Sequence, residues 1–219
     1  LGGMAYLPHS AHALAIEWNN TGTDWATGSS WVGGVAPSNT NLIDTAVFGS
    51  TGAAATTVNL AAARYVTALS FNASAYAYTL TGATLTIQNG ITNNAAATQT
   101  IDMNLAPRFS NQSFTNTNAG GSLIVNGNIN YVDATRTLTL AGVGNITLNG
   151  AVSNSANVAS VSVTSSGITQ LNGNNTYSGT TTISSGARAR LGTNTRLRTR
   201  SRFGHSFKSR FGIRVRKRT

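Results

Sequence analysis

The sequence predicts an all-β protein, a parallel β-helix (solenoid) with an N-terminal Trp-rich cap. The dipeptide Asn-Gly returns at a fixed interval of 23 residues, at Asn126-Gly127, Asn149-Gly150 and Asn172-Gly173. Each copy follows a short phrase of β-prone residues, and runs such as Thr137-Leu-Thr-Leu and Val161-Ser-Val-Thr have apolar side chains at alternate positions. No convincing helical period is present between residues 16 and 187. A fixed period in the twenties, carried by short strands and punctuated by glycine, is typical of a solenoid.

The first fifteen residues are mildly apolar and rich in small side chains. The tripeptide Ala13-Leu14-Ala15 fits a signal-peptidase site ahead of Ile16, so residues 1–15 are predicted to be a clipped signal peptide. Because Pro8 and His9 interrupt the apolar run, an ordinary flexible start is the alternative.

Residues 16–57 are predicted to form a Trp-rich cap module, because all three tryptophans, Trp18, Trp25 and Trp31, fall in this segment. The end of a solenoid exposes an open core, and wide aromatic rings with polar edges cover such a core well. The alternative is a carbohydrate-stacking face, since aromatic rings also pair with sugar rings.

Residues 58–192 are predicted to be the solenoid repeats. Val125, Leu148 and Leu171 share one register and are expected to point inward and stack. At one corner of each coil we expect an Asn-Gly pair in the left-handed conformation, with the three asparagines forming a side-chain ladder. Asn-Gly is also a strong hairpin signal, so an antiparallel sandwich is the competing fold. Hairpin loops have no reason to keep a constant spacing, which favours the solenoid.

The last coil carries a more specific phrase within residues 167–192. Its members are Leu171, Gly173, Asn175, Thr176, Tyr177, Gly179, Thr181, Ile183 and Gly186. This phrase resembles the autotransporter-associated β-strand repeat, also called the passenger-associated transport repeat. The motif covers about twenty residues, and a looser likeness extends over residues 16–192. In one departure from the pattern, Ala187-Arg-Ala-Arg replaces a Thr-Leu-x-Leu-like strand.

The resemblance implies a right-handed parallel β-helix that is exported through the bacterial outer membrane or displayed on it. It implies a non-enzymatic structural passenger, adhesin-like, which would use the outer-membrane export machinery and make weak, repeated contacts with cell-surface or extracellular polymers. It implies no catalytic residue and no cofactor. The expected location is extracellular or on the outer-membrane surface.

The residue inventory offers little for catalysis. Histidine occurs only at positions 9, 12 and 205, and cysteine is absent. The body therefore lacks a Ser-His-Asp triad and a histidine or thiolate metal site. A polysaccharide-active β-helix enzyme would need clustered carboxylates, and after the cap module only Asp102 and Asp133 remain. We therefore predict no catalytic, metal or cofactor-binding residues, and no stretch is apolar enough for a membrane span.

The net charge of +10 belongs to the end of the chain, because residues 188–219 hold twelve of the fifteen Lys and Arg and no acid. Residues 193–219 are predicted to be a disordered basic tail. If the tail is genuine, it would bind nucleic acid or an anionic surface. A shifted reading frame or a misassembled gene end is the other explanation of this abrupt change in composition.

Overall fold

The computed structural model describes residues 13–40, 42–52, 56–155 and 158–192. These residues form eighteen β-strands and one short 3-10 turn at Gly28–Ser30, and they contain no α-helix. The predicted tail and nearly all of the predicted signal peptide lie outside the described residues. The strands are β1 Ala15–Trp18, β2 Thr45–Phe48, β3 Thr57–Leu60, β4 Arg64–Phe71, β5 Thr79–Gly82, β6 Leu85–Asn93, β7 Thr98–Ile101, β8 Leu105–Pro107, β9 Gln112–Asn116, β10 Ser122–Val125, β11 Ile129–Tyr131, β12 Arg136–Gly142, β13 Asn145–Leu148, β14 Val152–Asn154, β15 Ala159–Val163, β16 Ile168–Leu171, β17 Thr181–Ile183 and β18 Arg188–Leu191.

The strands stack into two long parallel sheets, which together make a β-solenoid of about six turns. The first sheet runs β1-β2-β4-β6-β9-β12-β15-β17, and the second runs β3-β5-β7-β10-β13-β16-β18. A shorter third face consists of β8, β11 and β14, and β8 pairs with the first half of β6. The solenoid prediction is confirmed. The antiparallel sandwich is wrong, because strands on either side of Asn-Gly pair with neighbouring coils in parallel rather than with each other.

The constant interval seen in the sequence is the register of the middle coils. Ser122 pairs with Asn145, and Ile146 pairs with Thr169, each 23 residues apart. The step shortens in the last described coil, where Ile168 pairs with Arg188. Loops between faces absorb such differences, so the strands keep their alignment while coil length varies.

The core consists of side chains that stack in columns through successive coils. One column contains Ile101, Val125, Leu148 and Leu171, which are all buried, as predicted for the last three. A polar side chain also enters the core at Gln99. Its Oε1 accepts a hydrogen bond from Tyr78 N–H at 3.0 Å, and its Nε2 donates to Tyr76 O at 3.0 Å. Polar insertions of this kind are stable because their hydrogen bonds are satisfied.

The Trp-rich segment closes the N-terminal end of the stack. The Trp31 ring lies edge-on to Trp18 and to Trp25, with centroid distances of 5.0 and 4.9 Å, and Trp31 Nε1 donates to Trp25 O at 2.8 Å. Trp25 N–H donates to Asn59 O at 3.0 Å, so this segment also covers the first strand of the second sheet. The cap is continuous with the solenoid, because β1 and β2 extend the first sheet.

The alternative of a glycan-stacking face at Trp18, Trp25 and Trp31 does not fit this packing. The three side chains are at most 1% exposed. A sugar can stack only on an accessible ring face, and here the faces contact one another and Phe48. In the described residues, no helix has the length and apolar character needed to cross a membrane.

Candidate functional site

The Asn-Gly corner carries a continuous ladder of side-chain hydrogen bonds on the protein surface. Asn172 Nδ2 donates to Asn149 Oδ1 at 2.8 Å, and Asn149 Nδ2 donates to Asn126 Oδ1 at 2.7 Å. At the base of the ladder, Asn126 Nδ2 donates to Asp102 Oδ1 at 2.6 Å. The predicted asparagine ladder is confirmed, and Asp102 extends it by one coil. The aspartate is thereby a structural acceptor in this surface.

The glycines of this corner have a different role from the one predicted. None of the three corner glycines, Gly127, Gly150 and Gly173, has a positive φ. The left-handed conformation is therefore not the reason that glycine occurs at these positions. A Cβ on Gly150 would lie 2.0 Å from Gly127 O, and a Cβ on Gly173 would lie 2.2 Å from Gly150 O. The corner requires glycine because successive coils approach each other too closely for any side chain.

Asn175 explains how the last described coil is shortened. In earlier coils, the N–H groups of Leu105 and Ile129 donate to main-chain oxygens of the coil above, at 2.8 and 2.9 Å. The equivalent N–H of Val152 donates instead to the side-chain Oδ1 of Asn175 at 2.8 Å. Thr176 N–H then donates to Val152 O at 3.0 Å. The asparagine side chain replaces a main-chain acceptor and keeps the third face hydrogen-bonded.

The remaining motif residues close the same coil. Tyr177 and Thr181 are buried, and their hydroxyl groups are 2.5 Å apart. Burial raises the pKa of the Tyr177 hydroxyl, although the hydrogen bond to Thr181 opposes this shift. A Cβ on Gly179 would lie 2.2 Å from Ala159 O, whereas Gly186 has a φ of +81° and open space around it. These residues therefore have structural roles. Glycine is required at Gly179 because main chains approach closely, and at Gly186 because of the positive φ.

The final motif strands mark the exposed end of the described stack. Leu171 is buried in the core column. Ile183 pairs with the buried Val163 and so continues an inward column, but it is 40% exposed. Arg188 and Arg190 of β18 are exposed, and Ala189 and Leu191 between them are half-buried. The motif thus forms the last described coil.

A second asparagine pair inside the solenoid was missed by sequence reasoning. Asn93 and Asn116 are fully buried, and Asn93 Nδ2 donates to Asn116 Oδ1 at 3.2 Å. Asn116 Nδ2 donates to Gly121 O and to Asn145 O, both at 2.9 Å. The two residues are also 23 apart in the sequence, and that interval is the signal that could have revealed them.

A shallow polar groove of about 350 Å³ lies along the third face, and none of its lining side chains is charged. Asn104 Oδ1 accepts from Asn128 N–H, and Asn128 Oδ1 accepts from Ala151 N–H, each at 2.9 Å. Among the described residues, no partner takes the Nδ2 groups of Asn104 and Asn128. The groove therefore offers two amide donors from adjacent coils, beside Asn130 and Ser153.

The two carboxylates considered for catalysis have local partners in different coils. Asp102 accepts the hydrogen bond from Asn126, while Asp133 accepts from Phe109 N–H at 2.6 Å and lies 3.8 Å from Arg136. No group of three His, Cys, Asp or Glu side chains that could hold a metal ion occurs in the described ranges. Comparisons with protein-family models, curated proteins and solved structures give no match to this chain.

Proposed function

We propose that this chain is a non-enzymatic structural passenger, secreted or displayed on the outer surface of a bacterial cell. The observation that carries the proposal is the coil formed by residues 171–186, where the passenger-type motif supplies Asn175 and Tyr177 to the stack. The motif residues hold one coil to the next, which is what a transported scaffold requires. Adhesin-like contacts would then come from the outer faces.

The architecture is suited to folding in sequence as a chain emerges from an export channel. Each coil hydrogen-bonds to its immediate neighbours, so a folded coil presents an edge on which the next coil can form. The chain contains no cysteine, and residues 1–187 contain few charges, so little would obstruct passage unfolded. This supports export, with the outer-membrane machinery as the expected partner.

Export is tested by expressing the natural gene in a bacterial host and locating the product. We expect processing near Ile16 and recovery outside the cytoplasm. Leu14 N–H donates to Asp44 Oδ1 at 3.3 Å, and Thr45 N–H donates to Leu14 O at 2.8 Å. Cleavage after Ala15 would remove Leu14 and both of these hydrogen bonds. N-terminal sequencing of the exported protein will show whether cleavage occurs there or at another residue. Unprocessed protein found solely in the cytosol would contradict the proposal.

The uncharged groove is the best candidate surface for weak contacts with cell-surface or extracellular polymers. Amide groups at Asn104 and Asn128 can hydrogen-bond to hydroxyl groups of a neutral polysaccharide. Affinity electrophoresis through gels that contain neutral polysaccharides should show retardation that Asn128→Ala reduces. Thr147→Ala, on the outer side of the second sheet, is the matched control. Equal retardation of both variants would remove the groove from the proposal.

The absence of catalysis is a further part of the proposal. Its support is that both candidate carboxylates are engaged in separate coils. The purified chain should leave pectin and alginate uncut, with or without calcium. Release of unsaturated oligosaccharides would identify an enzyme instead.

Nucleic-acid or anionic-surface binding is a second candidate function, supported by the concentration of positive charge in residues 188–219. Binding of this kind weakens steeply with added salt. Deletion of residues 193–219 should abolish any salt-sensitive DNA binding and leave the melting temperature nearly unchanged. If DNA binding survives the deletion, this candidate fails. If the deletion unfolds the body, the tail contributes to the solenoid.

A further inference from the structure

The Asn-Gly corner is open to a covalent change that needs no enzyme, because asparagine is a thermally labile residue and glycine leaves its own nitrogen unshielded. The glycine main-chain nitrogen attacks Cγ of the preceding asparagine. The new N–Cγ bond forms as the Cγ–Nδ2 bond breaks, and ammonia leaves with the proton of the glycine amide. Water then opens the cyclic imide at either carbonyl, which gives an aspartyl or an isoaspartyl linkage. Water is the sole co-reactant.

The fold restrains the two lower Asn-Gly pairs of this corner. Asn126 is held at both ends of its amide, by Asp102 below and Asn149 above. Asn149 is held in the same way between Asn126 and Asn172. The amides of the following glycines also donate, Gly127 to Ile101 O at 3.3 Å and Gly150 to Val125 O at 3.4 Å. The side chain must leave the ladder, and the glycine must leave its acceptor, before these pairs can react.

The uppermost pair is held less firmly. Asn172 donates to Asn149, but no described residue donates to its Oδ1. No described acceptor takes the N–H of Gly173 either. In the register of β16 and β18, the residue above Asn172 is Gly192, whose N–H donates to Leu171 O at 2.8 Å. Glycine has no side chain to continue the ladder, so the ladder ends at Asn172.

We propose that Asn172-Gly173 is a site of spontaneous deamidation, and that it converts before the other two Asn-Gly pairs of this corner, Asn126-Gly127 and Asn149-Gly150. The new carboxylate oxygen cannot donate to Asn149 Oδ1, so the top rung of the ladder is lost. An isoaspartyl linkage also adds a methylene to the main chain where a Cβ on Gly173 would already lie 2.2 Å from Gly150 O. The modification therefore loosens the last described coil from its end.

The chain contains a matched internal control for this proposal, because residues 126–128 and 172–174 are the same tripeptide, Asn-Gly-Asn. The full chain is incubated at mildly alkaline pH, and peptide mass spectrometry follows the amide-to-acid conversion at each asparagine. Loss of one or two hydrogen bonds corresponds to a factor of about five to thirty. Asn172 should convert faster than Asn126 by that factor in the folded protein, and at about the same rate in denaturant.

A variant tests whether the ladder itself gives the protection. Asn172→Ala makes Asn149 the top rung, so conversion at Asn149 should rise about five-fold while Asn126 stays unchanged. Thr176→Ala, an exposed position in the same coil, is the control and should change neither rate. Equal folded-state rates at Asn126 and Asn172 would overturn the proposal. So would conversion in denaturant alone, or an unchanged rate at Asn149 in Asn172→Ala.

Discussion

Leu148 occupies the middle of a core column, so its replacement gives a direct measure of how much the stack depends on inward packing. It lies between Val125 in the coil below and Leu171 in the coil above, and it is 1% exposed. Its neighbours are fixed by strand pairing, so a cavity at this position cannot collapse freely. Leu148→Ala should therefore reduce the free energy of unfolding by about 2–5 kcal/mol. This corresponds to a melting temperature lower by about 5–15 °C.

Leu148→Asp should be more damaging, since it places a carboxylate without a partner in an apolar column. We expect this variant to lose the cooperative transition in far-UV circular dichroism. Thr147→Asp is the matched control, because Thr147 is the adjacent residue on the same strand and its side chain points outward. The control should change stability by about 1 kcal/mol or less. An intact transition in Leu148→Asp, or equal losses at both positions, would refute the assignment of inward and outward faces.

Four further changes test individual contacts. Gly150→Ala should be strongly destabilising in thermal melts, because its Cβ would meet a main-chain oxygen at 2.0 Å. Asn175→Ala leaves Val152 N–H without its acceptor and should cost about 1–3 kcal/mol in denaturant titration. Tyr131→Phe removes a buried hydroxyl that has no hydrogen-bond partner in the described structure, so the melting temperature should stay equal or rise. Burial raises the pKa of Tyr78 to about 12. The unfolded chain then releases this proton first, and stability should fall between about pH 10 and 12 in pH-dependent melts.

The outer asparagine ladder could be predicted from sequence because its geometry demands the same residue in every coil. Asn126, Asn149 and Asn172 hydrogen-bond to one another, so their repetition records the register directly. The reason for the adjacent glycines could not be read in the same way. A glycine that recurs in every coil indicates a position that excludes a side chain, but both a positive φ and a close approach of main chains have that effect. The structure assigns close approach at Gly150 and a positive φ at Gly186.

Contacts that depend on coil length were also beyond sequence reasoning. Asn175 takes over a main-chain role because the last coil is shorter than its predecessors, as the pairing of Ile168 with Arg188 shows. A fixed 23-residue period, extended into this coil, would misalign these residues. Periodicity therefore predicts which residues stack where coils are equal in length. Periodicity does not predict that a side chain replaces a main-chain acceptor where coils differ in length.

One inward column shows how the two ends of the stack differ in what holds them together. Upward from the cap, paired positions in this column are Trp18, Phe48, Phe71, Asn93 and Asn116. The aromatic rings of the lower coils pack against one another, and Phe48 and Phe71 stack at 5.1 Å. The amides above them are buried, and each hydrogen-bonds both within its own coil and to the next coil, where Asn93 donates to Asn116 Oδ1 and Asn116 donates to Asn145 O. The lower coils are therefore joined by ring packing, and the coils above them by hydrogen bonds between buried amides. Both are contacts between neighbouring coils, as the nearest-neighbour stability of a solenoid requires.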